Sequence, residues 1–225
     1  MNHELRKRLI TSTILVALLI AMYFYSFIMI PALIIVSMII WIEFYALISK
    51  IFKKDSFIHK FYRFLFKSTS LLYLSLLVYF ILSVESYYLN LKFYLFYSVL
   101  VAIMSDIGGF VFGKTFKGKK LTKISPNKTV SGSIGSFVFS LFLIPLFQDK
   151  LIDYSILILI IITLLISITS QLGDLLISYF KRKANVKNTS DILPGHGGFL
   201  DRLDGIIFAI PVGILLFKIF LIWKK

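Results

Sequence analysis

The stretch that decides the architecture lies close to the N-terminus. Leu9–Ile42 reads LITSTILVALLIAMYFYSFIMIPALIIVSMIIWI and holds no charged side chain. A helix needs about 20 apolar residues to cross a hydrocarbon core of roughly 30 Å. This run is too long for one such helix, and Pro31 falls inside it. It reads as two spans, 9–25 and 30–49, joined by a very short turn. Arg6-Lys7-Arg8 ahead of an apolar core resembles a secretion signal, but no small-residue cleavage site follows and the second span begins at once. Glu43, the first acid at membrane depth, is placed at the interface.

The same reading carries along the chain. Further spans are expected at 68–84, 93–112, 133–148, 154–174 and 204–223. The 225 residues are 58% hydrophobic with mean hydropathy +0.89, far above the roughly 45–50% apolar usage of soluble domains. The expected fold is an all-α, polytopic integral membrane protein of about seven transmembrane helices with its chemistry in cytoplasmic loops. The weakest break between spans is at 83–93. Residues 50–67 mix six basic residues with Phe57, Phe61, Tyr62, Phe64 and Phe66, the composition of a helix lying on an anionic leaflet. Two regions follow: 1–92, an N-terminal transmembrane region with this basic interfacial link, and 93–225, a C-terminal catalytic region with motifs at 105–132 and 171–204.

Charge sets the orientation. The N-terminal tail carries three Lys+Arg, the 50–67 link six, the 113–132 loop six and the 175–203 loop five, together 20 of 25. All four fall on one face of a seven-span chain, which the positive-inside rule makes cytoplasmic, with the N-terminus inside and the C-terminus outside. The net charge of +14 fits this rule, and it also suits an anionic substrate or lipid. There is no cysteine, which excludes disulfides and thiolate zinc sites. Three dispersed histidines are too few for a histidine metal cluster.

Both motif-bearing loops fall on the cytoplasmic face. The first runs from Ser105-Asp106-Ile107-Gly108-Gly109 through a Gly/Lys stretch at 113–120 to Ser125-Pro126-Asn127-Lys128-Thr129-Val130-Ser131-Gly132. Glycines, hydroxyls and lysines suit phosphate oxygens, although the order is not that of a Walker A loop. An ordinary basic loop has the same composition. Asp106, a carboxylate within an apolar span, calls for a polar cavity or an ion-pair partner such as Lys128 or Arg202.

The second loop opens with Gln171-Leu172-Gly173-Asp174, and Ser178 shares a helix face with Asp174. It continues through Lys181-Arg182-Lys183 and Lys187-Asn188-Thr189-Ser190-Asp191 to Pro194-Gly195-His196-Gly197-Gly198. Proline and glycine bar a helix there, and a helix restarts near Phe199 or Leu200, carrying Asp201, Arg202 and Asp204. Asp174, Asp201 and Asp204 are thus brought toward one place from two helix ends. They suit a hard cation such as Mg²⁺, with the surrounding Lys and Arg serving a polyphosphate. Interfacial salt bridges and helix caps are the structural alternative. His196, flanked by glycines, suits either a phosphate contact and proton shuttle or a turn.

The segment from Ser178-Tyr179-Phe180-Lys181-Arg182 through Lys187-Asn188, Ser190, Leu193-Pro194 and His196-Gly197-Gly198 to Asp201-Arg202-Leu203-Asp204 closely resembles the signature of the phosphatidate cytidylyltransferases (CDP-diacylglycerol synthases). Ser125-Pro126-Asn127-Lys128-Thr129 with Gly132, and Asp106-Ile107-Gly108, resemble further family blocks, and Trp41-Ile42-Glu43 does so weakly. Two departures stand out. Asn188 occupies a position where the family usually has Asp, and Val130-Ser131-Gly132 replaces Trp-Glu-Gly. The chain is also short for a bacterial member, as if trimmed in the half that shapes the lipid groove.

The resemblance implies transfer of the cytidylyl group of CTP to phosphatidic acid, giving CDP-diacylglycerol and pyrophosphate. It implies catalytic roles for Asp174, Asp201, Asp204, Arg202, Lys187 and His196. Substrate contacts would come from Ser125, Lys128, Thr129, Ser178, Lys181, Arg182, Gly197, Gly198 and Asp106. Asp174, Asp201 and Asp204 would hold Mg²⁺, with a second, monovalent cation left open. The expected partners are CTP, phosphatidic acid and membrane lipids, without nucleic acid, and a homodimer is left open. The expected location is the inner or plasma membrane of a bacterium. The competing readings are a CDP-alcohol phosphotransferase, an ion or proton transporter using Asp106 and Asp174, and an inactive member of the same family.

Overall fold

The computed structural model describes residues 3–87, 89–122, 124–151 and 154–223. The terminal lysines at 224 and 225 lie outside the described residues. Helices α1 (His3–Phe24), α2 (Ser26–Ile51), α3 (Phe57–Tyr87) and α4 (Leu89–Phe116) come first. Then follow α5 (Val130–Leu141), α6 (Leu143–Phe147), a 3₁₀ turn at Gln148–Lys150, α7 (Ile156–Lys183), α8 (Leu200–Leu203) and α9 (Ile206–Trp223). Extended pairing among the described residues is limited to the isolated bridges Lys120–Thr129 and Leu193–Gly197. Seven segments are long and apolar enough to cross a membrane. The all-helical, seven-span expectation therefore holds.

Several boundaries move, each for a local reason. Tyr25 alone separates α1 from α2, in extended conformation at φ −125°. The basic, aromatic segment is not a separate surface helix. After a bend at 52–56, α3 runs unbroken from Phe57 to Tyr87 with no proline or glycine to stop it. Residues 57–67 are its first three turns, with Phe57 and Phe64 exposed. The fifth span breaks at Phe142, because Pro145 has no N–H to donate back to Leu141. The sixth runs on to Lys183, so Lys181-Arg182-Lys183 form its last turn rather than a loop. Three cations there complement the carbonyl end of the helix.

The chain folds as two compact units. The first holds the residues up to Tyr87 together with Phe180–Leu203. In it α1 and α3 pack on α2. Lys67 Nζ lies 3.3 Å from the Tyr45 ring centroid, and Trp41 Nε1 donates to Lys67 O at 3.3 Å. Phe180 meets the edges of Phe44 and Phe66.

The second unit holds Tyr88–Tyr179 and Asp204–Lys225, in which α4 packs against α5 and α9. Its core is aromatic at one end and small at the other. Tyr94 stacks on Phe217 at 4.5 Å, and the Tyr154 hydroxyl donates to Phe217 O at 2.9 Å. Further along, α4 and α5 approach at backbone distance. A Cβ on Gly108 would lie 2.3 Å from Gly135 O, and one on Gly135 would lie 2.3 Å from Phe112 Cβ. Ser136 Oγ donates across this contact to Ser105 O at 2.7 Å, and Ser105 Oγ pairs with Ser167 Oγ at 2.9 Å. Small residues and interhelical hydroxyl bonds are how spans associate where lipid removes the hydrophobic drive. The Gly108-Gly109 pair is thus spent on helix packing.

Candidate functional site

In the second unit, the loop between α4 and α5 is closed by an antiparallel pair: Leu121 N donates to Lys128 O (2.8 Å) and Val130 N to Lys119 O (2.9 Å). Ser125 stands at the turn, its carbonyl accepting from Lys128 N at 3.0 Å. Thr129 caps α5, its Oγ1 accepting from Gly132 N at 3.0 Å. This loop presents Lys128 Nζ to Asp174 Oδ2 on α7, with both side chains about a quarter exposed. Ser178, one turn on, donates to Asp174 Oδ1 at 3.2 Å, as their spacing predicts. Asp204 is 5% exposed, and its Oδ1 accepts from Gly205 N at 2.9 Å. Its carbonyl lies where a Cβ on Gly173, next to Asp174, would approach to 2.8 Å. Asp106 is exposed on α4.

In the first unit, Asp201 is the centre. Its Oδ1 accepts from Lys181 Nζ at 2.8 Å, and the two side chains are 6% and 13% exposed. Its Oδ2 accepts from Thr189 N (2.8 Å), Thr189 Oγ1 (3.0 Å) and Gly198 N (3.0 Å). The glycines of the motif make this approach available. Gly197 has φ +86°, and a Cβ there would lie 2.9 Å from Asp201 Oδ2. Asn188 flanks the same glycine, its Cγ 3.3 Å from that Cβ position. Among the described residues, Arg202 forms no ion pair with an acid. Its Nε and Nη2 donate to His196 O at 3.0 and 2.7 Å. Arg182 and Lys187 are exposed.

The residue that sequence reading underestimated is Glu43. It is 3% exposed and accepts from Thr189 Oγ1 (2.9 Å), Ser190 Oγ (2.5 Å), Phe199 N (3.1 Å) and Leu200 N (2.8 Å). It is a buried side chain held by protein donors. The available signal was an acid inside an apolar helix, which must find partners.

His196 contacts α1 through Ser12 Oγ, 3.2 Å from Nε2. Burial, then the Arg202 guanidinium and, least, Arg8 lower its pKa below the ordinary 6.5, with the Pro194 backbone acting the other way. The fold therefore favours neutral imidazole. The contribution is fully present above pH 6.5 and is lost as pH falls through the folded value, because the unfolded chain then binds the proton more readily. NMR titration of ring-labelled protein, with His3→Gln and His59→Gln to isolate the signal, should give a His196 midpoint below 6.5. Arg202→Gln should raise that midpoint. A midpoint at or above 6.5 contradicts the electrostatic account.

Among the described residues, no group of three or more His, Asp or Glu side chains is arranged to hold a metal ion. The donor chemistry still suits a hard cation at Asp174, whose present partner is an ammonium on a flexible stem. Asp201 has both oxygens filled by protein donors. The ion-pair alternative thus describes both aspartates in this arrangement.

The comparisons with known proteins agree with the motifs. The profile of the Cytidylyltransferase family matches residues 1–220. Over 130 residues the chain is 44% identical to a protein of Staphylococcus saprophyticus named phosphatidate cytidylyltransferase, covering 56% of this chain and 50% of that one. Over 122 residues it is 43% identical to the protein of that name from Staphylococcus haemolyticus, covering 53% and 46%. Over 129 residues it is 42% identical to the one from Bacillus subtilis, covering 56% and 48%. The chain thus spans about half the length of the curated relatives it matches. With its seven apolar spans and a family profile that runs almost end to end, the chain belongs to the cytidylyltransferase family.

Proposed function

We propose that the chain transfers the cytidylyl group of CTP to phosphatidic acid, forming CDP-diacylglycerol and releasing pyrophosphate. The observation that carries this reading is the match of residues 1–220 to the family, supported by relatives of 42–44% identity that bear the phosphatidate cytidylyltransferase name. In this reaction a lipid phosphate oxygen attacks the α-phosphorus of CTP. The bond to the bridging oxygen breaks, and pyrophosphate leaves with the electron pair. No protein nucleophile is required, since the lipid phosphate is already ionised.

We assign the chemistry to residues 93–225, on the cytoplasmic face where CTP is available, in a bacterial inner or plasma membrane. The family is generally dependent on a divalent cation. Asp174 would hold Mg²⁺, and Asp201 and Asp204 would join it by exchanging their present protein donors. When bound, that ion would polarise the α-phosphate and neutralise charge on the departing pyrophosphate. Lys128 and Lys181 each spend their charge on an aspartate, so a bound polyphosphate would give them a new anionic partner. Exposed Arg182 and Lys187 would join them on the phosphates, with hydrogen bonds from Ser125, Thr129 and Ser178 and the backbone at Gly197 and Gly198. Arg202 and His196 would contact the reacting phosphates, and Asp106 the substrate.

The test uses purified chain in detergent micelles with phosphatidic acid, Mg²⁺ and CTP labelled at the α-phosphorus. Label is expected in the lipid phase. Folded protein that leaves all label in the aqueous phase, across Mg²⁺ concentrations, overturns the reading. In the same assay Lys128→Gln is expected to raise the KM for CTP by about tenfold or more, the worth of one charge-assisted hydrogen bond of about 1.5–3 kcal/mol. An unchanged KM removes Lys128 from the nucleotide site.

A further inference from the structure

Glu43 sits two turns before the end of α2, a helix otherwise without acids. Its four donors come from both ends of the segment 189–200, which carries the Pro-Gly-His-Gly-Gly motif between them. Burying a carboxylate is costly unless its lone pairs are filled. Here each oxygen takes one hydroxyl and one backbone N–H. The space is closed around it: a Cβ on Gly198 would lie 2.5 and 2.6 Å from the two Glu43 oxygens and 2.1 Å from Thr189 Oγ1.

Thr189 links this clamp to Asp201. Its Oγ1 lies 2.9 Å from Glu43 Oε2 and 3.0 Å from Asp201 Oδ2. A hydroxyl has one proton to donate, so it serves one carboxylate at a time. When the proton turns to Glu43, Asp201 loses a donor while the loop keeps its anchor. Phe199 N, Leu200 N and Ser190 Oγ hold the loop to α2 whichever partner Asp201 takes.

We propose that Glu43 is a positioning residue for the cytidylyl transfer. It fixes the signature loop to α2 independently of Asp201, so that Asp201 can exchange partners without displacing the loop. The inference rests on the role given to Asp201 under the proposed function.

The test separates the two. Limited trypsin digestion of the full chain in micelles reads the loop at Lys187, which is exposed and lies two residues before Thr189. Glu43→Gln is expected to speed cleavage after Lys187 about tenfold and to lower label transfer about tenfold. The thermal midpoint should fall as well, because the amide turns its NH₂ toward one hydroxyl and one backbone N–H. Transfer is therefore compared at a temperature where both proteins are folded, and a merely structural role would leave it undiminished there. Ser190→Ala removes one donor and should speed cleavage about two- to threefold, which keeps the test open if Glu43→Gln does not accumulate. Unaltered cleavage in both variants overturns the clamp. Faster cleavage with undiminished transfer overturns the positioning role. Faster cleavage in a chain whose unmodified form transfers no label upholds the clamp and sinks the CTP reading instead.

Discussion

Asp201→Asn is expected to abolish the appearance of label in the lipid phase, with a loss of at least about 10²–10³-fold, the scale of removing one preorganised group that meets developing charge. The reason lies in the number of donors the carboxylate satisfies. Lys181, two backbone N–H groups and the Thr189 hydroxyl all point at it, and it is 6% exposed. The amide would turn its own NH₂ toward either the ammonium or the backbone donors. Removing one partner of a buried pair costs about 3–5 kcal/mol, so the thermal midpoint should also fall. Adding Lys181→Met to Asp201→Asn removes the stranded ammonium. The double variant should recover much of the lost midpoint while transfer stays absent. If Asp201→Asn retains activity within tenfold of the unmodified chain, Asp201 is not a catalytic group.

Gly135→Val is expected to prevent accumulation of folded protein in micelles or to lower its thermal midpoint sharply. A Cβ there would stand 2.3 Å from Phe112 Cβ, 2.4 Å from Phe112 Cγ and 2.6 Å from Gly108 O. None of these is the loose end of a flexible chain, so α4 and α5 must separate. Overpacking costs about 1–3 kcal/mol in a core that can adjust, and more where backbone meets backbone. Separation would also break the bond from Ser136 Oγ to Ser105 O. Gly113→Ala is the contrast. Its nearest neighbour is Thr129 Oγ1 at 3.2 Å, a hydroxyl that can yield, and its midpoint should stay near that of the unmodified chain. Equal midpoints for the two variants would remove the close approach as the source of stability.

The number and order of the spans were legible in the chain, because the length of an apolar run is a property of local sequence and the membrane imposes the scale. Local chemistry was legible too. Asp174 and Ser178 meet as their spacing demands, and the helix restarts at Leu200 once the Pro-Gly-His-Gly-Gly stretch is past. The ends of elements were harder to read. The aromatic and basic residues of 57–67 look like a surface helix by composition, yet nothing in them stops α3.

The partners of the charged groups were decided elsewhere. Glu43 shows in the sequence only as an acid in the wrong solvent, and the groups that satisfy it come 146 to 157 residues later. Gly108 and Gly109 read equally well as a phosphate loop until Gly135 is brought against Gly108. By itself, the sequence determined that the chain holds seven segments long and apolar enough to cross a membrane, and that most of its basic residues fall in four stretches outside their apolar centres. Only the tertiary structure decided that Lys128 faces Asp174, that Lys181 faces Asp201, and that Glu43 holds the signature loop. Apolar burial is counted along the chain, whereas a hydrogen bond needs a partner at about 3 Å with a set direction, which residues far apart in sequence acquire only by folding.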